Sequence, residues 1–229
     1  MTVTACVFDA YGTLFDVTGA ARHAAEEPGG AMLAKCWPAL AADWRDRQLS
    51  YTWLRNSAGA HADFAQVTAE ALEWALEAQG LGSDADLRAR LLALYAELPA
   101  YAEVPGVLEA LRGAGLRRAI LSNGSPAMLE SAVASAGIGH LLEAVLSVEE
   151  VGVFKPDPRA YGLIEARLGV APRDVLFVSA NGWDAACATG FGLRCVWLNR
   201  AGAPMERLPW HPAHVLPDLA ALPDLIRSL

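Results

Sequence analysis

Short runs of β-branched and aromatic residues alternate with helix-like stretches through the second half of the chain. RRAILS (117–122), DVLFVS (174–179) and LRCVWL (193–198) are near-continuous apolar runs, and TACVFD (4–9) belongs to the same class. Such runs fit strands buried on both faces of a parallel sheet. Between them the pattern predicts helices. Ser125 reads as an N-cap with Pro126 at the first helical position, Asp157 and Pro158 open a helix to about Leu168, and a shorter helix starts from Asp184. A last strand is expected near His214–Leu216, followed by a short final helix. Strands alternating with helices give an α/β class, here a Rossmann-like core with a parallel sheet flanked by helices.

Residues 18–97 carry a different period. Leu87, Leu91, Leu94, Tyr95 and Leu98 follow one helical face, and Val67, Ala71, Trp74, Ala75 and Ala78 follow another. Leu40, Trp44, Tyr51 and Leu54 suggest a third. No strand pattern interrupts them. The expectation is a helical-bundle cap over 18–97, inserted after the first strand of a core built from 1–17 and 98–229.

Composition changes this picture little and narrows the function. At 229 residues and 54% hydrophobic, the chain can bury a substantial core. Its net charge of -8 offers no basic stripe for a phosphate backbone, so no nucleic-acid partner is expected. No apolar run approaches the roughly 20 residues that span a bilayer, and MTVTACVFDA lacks the pattern of a cleaved leader. The expectations are no membrane partner and a cytoplasmic location. Cys6, Cys36, Cys187 and Cys195 form no CxxC pair and no zinc spacing, and read as buried free thiols.

In an open parallel sheet, ligands bind outside the carboxyl ends of the strands. The polar residues just past the expected strands are Asp9 with Thr13, Ser122 with Asn123, Lys155, and Ser179, Asn181 and Asp184. Each has a plainer reading. Asp9 and Asp184 are possible helix caps, Ser122 and Asn123 possible turn residues, and Lys155 a possible exposed lysine before a turn. Asp9 itself can cap, hold a metal or attack a substrate. The shared position of all these groups favours chemistry.

The motifs FDAYGTLFD (8–16), WRDRQLSYTWLR (44–55), ILSNG (120–124), VFKPDPRAY (153–161) and VSANGWDAA (178–186) resemble, in this order, those of the haloacid dehalogenase superfamily. The similarity is to the L-2-haloacid dehalogenases, also called (S)-2-haloacid dehalogenases, and spans nearly the whole chain. Phosphatases of the superfamily carry a second aspartate two residues after the nucleophile and an acidic magnesium ligand in a GDxxxD motif. Here Tyr11 takes the first position and Ser179-Ala180 stand where that Gly-Asp would sit. The departures fit a halide leaving group, which needs no proton, and make a tight Mg2+ site unexpected.

The resemblance implies a metal-free, cofactor-free hydrolysis of short (S)-2-haloalkanoic acids to (R)-2-hydroxy acids. Asp9 would displace the halide and form an ester that water then cleaves. Ser122, Asn123 and Lys155 would hold the substrate carboxylate, and Arg45 the departing halide ion. Tyr11, Leu49, Phe64 and Trp183 would line the apolar wall, although plain core packing also accounts for the aromatic ones. Asp184 would activate water, oriented by Lys155 or Asn181, while Ser179 and Thr13 fix the carboxylates and Tyr161 adds a supporting hydrogen bond. The implied partners are a small halogenated carboxylate, the halide and a second copy of the chain in a homodimer. Two alternatives stand at this point: a Mg2+-dependent phosphatase using Asp9 and Asp184, and a non-catalytic binder of small carboxylates.

Overall fold

Ala5–Phe8 form β1, and all four side chains are buried, as a strand covered on both faces requires. The computed structural model describes residues 3–229; Met1 and Thr2, the first positions of the expected core segment, lie outside the described residues. Five strands join β1: β2 (Arg117–Ser122), β3 (Ala144–Ser147), β4 (Val175–Ser179), β5 (Arg194–Leu198) and β6 (His214–Leu216). They form one six-stranded sheet in the order β3-β2-β1-β4-β5-β6, with every pairing parallel. Phe8 lies opposite Ile120 on one side and Val178 on the other. From β1 the chain builds toward one edge and then returns through β4 to build the other. The carboxyl end of β1 is therefore the switch point at which such sheets bind ligands.

Between residues 18 and 97 the described chain forms four α-helices: α1 (Gly19–Glu26), α2 (Trp37–Ala58), α3 (Phe64–Ala78) and α4 (Ala85–Ala96). Asp63 caps α3 by accepting from the Gln66 N–H, and Asp84 caps α4 by accepting from that of Leu87. Gly59, in the left-handed region, ends α2. The two connections to this helical segment pass side by side. The Asp16 N–H donates to Pro99 O at 2.9 Å and the Tyr101 N–H to Leu14 O at 3.0 Å.

The helices α5 (Val104–Gly113), α6 (Pro126–Ser135), α7 (Pro158–Leu168), α8 (Gly182–Phe191) and α9 (Leu222–Ser228) complete the fold. No helix among the described residues is long and apolar enough to cross a membrane. Cys6 and Cys195 are buried free thiols pushed up to about 12 by burial. Cys36 and Cys187 are only half-buried, so the expectation of uniformly buried thiols holds for two of the four.

Two helical stripes and one helix start differ from expectation. In α2 the buried positions are Leu40, Ala41, Trp44, Gln48 and Thr52, while Leu54 is 63% exposed. Polar side chains can sit on that stripe because they bond one another. Gln48 Nε2 donates to Thr68 Oγ1 at 2.7 Å and to Tyr95 Oη at 3.1 Å. In α3 Trp74 is exposed and carries the Arg47 guanidinium over its ring at 3.8 Å, while Phe64, Leu72 and Leu76 fill the core instead. The third difference is α8, which begins at Gly182 and not at Asp184, because the Asp184 carboxylate is engaged elsewhere and caps nothing.

Candidate active site

Asp9 ends β1. Its N–H still donates to Val178 O at 2.9 Å, after which the chain leaves the sheet. The turn that follows wraps around Ala10 O, which accepts from the Leu14 N–H at 2.8 Å and that of Phe15 at 3.1 Å. It requires φ of 86° at Gly12, in the left-handed region. Thr13 is thereby returned beneath Asp9. Its hydroxyl donates to Asp9 Oδ2 at 2.9 Å and accepts from the Ala180 N–H at 2.8 Å.

The loop before α7 and the end of β4 supply the groups opposite. Lys155, 1% exposed, places Nζ 2.8 Å from Asp9 Oδ1 and 2.6 Å from Asp184 Oδ2. Burial alone would depress this lysine, but the Asp184 and Asp9 charges outweigh it and hold the ammonium above its ordinary range. Asp184 is wholly buried. Burial pushes its carboxyl up against the lowering effect of Lys155, and the Asp9 charge pushes it further up. Its Oδ2 also accepts from Ser179 Oγ at 2.9 Å, and its Oδ1 from the Tyr161 hydroxyl at 2.7 Å.

Arg45 reaches the same place from α2. Its Nη1 donates to Gln48 Oε1 at 2.7 Å, and its Nη2 to Asn181 Oδ1 at 3.0 Å and Tyr11 O at 3.4 Å. Asn181 Nδ2 in turn donates to Asp9 Oδ2 at 2.9 Å. A hydrogen-bonded path thus runs from the helical segment to the carboxylate at the end of β1.

These groups surround a cavity of about 10 Å3, roughly the space of one water-sized sphere. Asp9, Arg45, Ser122, Asn123, Lys155 and Asn181 form its polar wall, and Tyr11, Leu49, Phe64 and Trp183 its apolar one. Larger open depressions of about 500 and 750 Å3 lie elsewhere, without a comparable cluster of opposed charges. All ten wall residues are ones singled out from the sequence, and Thr13, Ser179, Tyr161 and Asp184 stand behind them.

Three details differ from the expected roles. Lys155 aims its donors at Asp9, Asp184 and Leu121 O, leaving none for a substrate carboxylate. Asn123 Oδ1 accepts from the Lys155 N–H at 2.8 Å, so only its Nδ2 is available. Asp184 does not reach the cavity, because the Lys155 ammonium lies between it and Asp9. The Ser122 hydroxyl accepts from the Gly124 N–H at 3.1 Å and keeps its proton free to donate.

Sequence reasoning missed Gln48, Tyr95 and Asn56. Asn56 clamps the peptide beside Lys155, with Nδ2 donating to Phe154 O at 2.7 Å and Oδ1 accepting from the Phe154 N–H at 2.9 Å. The signal was present in the spacing. Leu40, Trp44, Gln48, Thr52 and Asn56 recur every fourth residue, and polar members of a buried stripe need partners.

A family model described as haloacid dehalogenase-like hydrolase matches residues 3–192. (S)-2-haloacid dehalogenase 1 of Pseudomonas sp. strain CBS-3 is 44% identical over 227 residues, covering 99% of this chain and 98% of that protein. (S)-2-haloacid dehalogenase 4A of Burkholderia cepacia is 44% identical over 202 residues, covering 88% of this chain and 85% of that protein. Among solved structures, the L-2-haloacid dehalogenase from Xanthobacter autotrophicus with chloropropionic acid covalently bound is similar at a TM-score of 0.89. It is 38% identical, with 100% of each chain covered.

Proposed function

The chain belongs to the haloacid dehalogenase-like hydrolases and, within them, to the (S)-2-haloacid dehalogenases; from that premise we propose how its own residues hydrolyse the carbon–halogen bond. The enzyme converts short (S)-2-haloalkanoic acids into (R)-2-hydroxy acids. Asp9 attacks the halogen-bearing carbon from the side opposite the halogen, which inverts that centre and leaves an aspartyl ester. Water then attacks the Asp9 carboxyl carbon, so the second step leaves the new stereocentre untouched.

The observation that carries this assignment is the buried contact of Lys155 with Asp9 at 2.8 Å, on the wall of a cavity faced by Arg45. Lys155 fixes the attacking oxygen, and Thr13 and Asn181 hold the other oxygen. Ser122 and Asn123 Nδ2, with the N–H groups of Ala10 and Tyr11, receive the substrate carboxylate; that of Gly12 is already given to Phe15 O. Arg45 draws off the halide in a dry site, where a fixed cation acts strongly on developing charge. Asp184, fastened by Ser179 and Tyr161, acts through Lys155 as a positioning residue. Lys155 occupies the space between the two carboxylates where a bridging cation would otherwise sit, which favours a metal-free reaction. We further propose residues 18–97 as the cap over a core of 1–17 and 98–229. A cytoplasmic location suits the four free thiols, and a homodimer suits the exposed Met32 and Leu54.

The test is halide release from each enantiomer of 2-chloropropionate in excess chelator, beside an Asp9→Asn control. Release from the S enantiomer alone, lost in the variant, is expected. Phosphate-ester cleavage that appears only with Mg2+, without halide release, would overturn the assignment.

A further inference from the structure

Tyr11 is 2% exposed, yet its hydroxyl has no hydrogen-bond partner among the described residues. A buried hydroxyl without a partner is unfavourable, and such groups are few in native structures. The ring has little freedom to turn away. It stacks on Tyr95 at 5.5 Å between centroids and meets Phe64 at 5.8 Å and Phe15 at 6.3 Å. Gly124 forms its floor, since a Cβ there would come within 2.8 Å of Tyr11 Cε2. The residue lines the cavity together with Asp9 and Arg45. Burial, then the Tyr95 and Asp9 neighbours, push the phenol well up against the opposing charge of Arg45, so it keeps its proton.

We propose that the Tyr11 hydroxyl donates a hydrogen bond to the departing halide, as a second donor beside Arg45. This rests on the displacement mechanism above and adds a catalytic residue to it. An Asp9 oxygen forms the new C–O bond while the carbon–halogen bond breaks, and the halide leaves with both electrons of that bond. Tyr11 transfers no proton; it stabilises charge that exists only as the bond breaks. Position favours the halide over the substrate carboxylate. Tyr11 stacks on Tyr95, whose hydroxyl meets Gln48, and Gln48 holds the Arg45 guanidinium. Ser122 and Asn123, at the end of β2, supply the donors on the carboxylate side.

Tyr11→Phe keeps the ring and its stacking and removes only a hydroxyl that has no partner among the described residues. Its unfolding midpoint without halide should equal or exceed that of the wild type, and added chloride should raise it less. Single-turnover halide release from (S)-2-chloro-, bromo- and iodopropionate is the kinetic readout. Chloride, the most charge-dense of the three, should slow by about ten- to a hundredfold and iodide by less, with KM changed by about twofold at most. Equal slowing for all three halogens, or a raised KM at unchanged rates, would overturn the proposal and place the hydroxyl on the carboxylate or in packing alone. A wild-type protein that releases no halide from any of the three would instead overturn the displacement mechanism on which it rests.

Discussion

Lys155→Met is the sharpest perturbation of the site, because it removes one buried cation from between two buried carboxylates. Nζ lies 2.8 Å from Asp9 and 2.6 Å from Asp184, and the lysine is 1% exposed. Methionine is close in length and apolar, so the change leaves charge uncompensated without a large cavity. Breaking a buried pair in this way costs about 3–5 kcal/mol. For 229 residues, an unfolding entropy of about 2.1 cal/mol/K per residue gives about 0.5 kcal/mol per degree, hence a drop of about 6–10 °C in Tm. The loss should depend on pH in a definite direction. Burial already raises the Asp184 carboxyl, and Lys155 is what lowers it. Without the lysine, folded Asp184 binds a proton at a pH where the unfolded side chain, near 3.9, does not. The folded variant then holds more protons than the unfolded chain, so its stability falls as pH rises. Thermal unfolding at pH 5.5 and pH 8 should show a gap to the wild type that widens at pH 8. A gap that is absent, or the same at both pH values, would refute the picture of one lysine compensating the buried Asp184 carboxylate.

The wild-type ion pair itself should persist into alkali: with folded Lys155 raised above 10.5, its contribution is complete below that pH and is lost only as pH climbs through the folded value, which thermal unfolding from pH 9 to 11.5 reads out. Arg45→Lys should reduce single-turnover halide release by about a hundredfold or more, because one ammonium cannot bond Gln48 and Asn181 and still face the halide. Gln48→Leu should cost about 1–3 kcal/mol in denaturant unfolding, since it strips partners from Arg45, Thr68 and Tyr95, and should slow halide release as Arg45 loosens. Asp184→Asn should slow ester formation and ester hydrolysis together if Asp184 acts through Lys155; accumulation of ester by mass spectrometry, with its formation unaffected, would make Asp184 the base for water.

Much of the fold was legible because its central strands are buried on both faces. RRAILS and the run at His214–Leu216 match β2 and β6 residue for residue. β3 escaped notice because it is a four-residue edge strand opened by Glu143, with Val145 40% exposed. Such a segment has neither the length nor the all-apolar run of a central strand. The cap stripes were read as apolar faces, whereas the α2 face carries Gln48 and Thr52 inward and leaves Leu54 outside. Hydrophobic period alone does not reveal a buried polar pair, because it scores each residue without its partner.

The site was legible for a different reason. Its polar residues follow strand ends that parallel pairing brings to one edge of the sheet. Which of them touch was not legible. Depth separates Asp9, on the cavity wall, from Asp184, five residues past the end of the β4 apolar run yet wholly buried. That depth follows from Ser179, Tyr161 and Lys155 all aiming at Asp184, a convergence of three separate elements that spacing along the chain does not encode.

The most direct test of Asp9 as a covalent nucleophile is a single turnover of excess enzyme with (S)-2-chloropropionate in 18O-labelled water. Water that attacks the carboxyl carbon of an Asp9 ester leaves its oxygen on the enzyme. The first (R)-lactate released should therefore be unlabelled, with the label recovered in the peptide containing Asp9. Label in that first lactate, and none in the Asp9 peptide, would mean that water attacks the halogen-bearing carbon directly and that Asp9 serves only as a base.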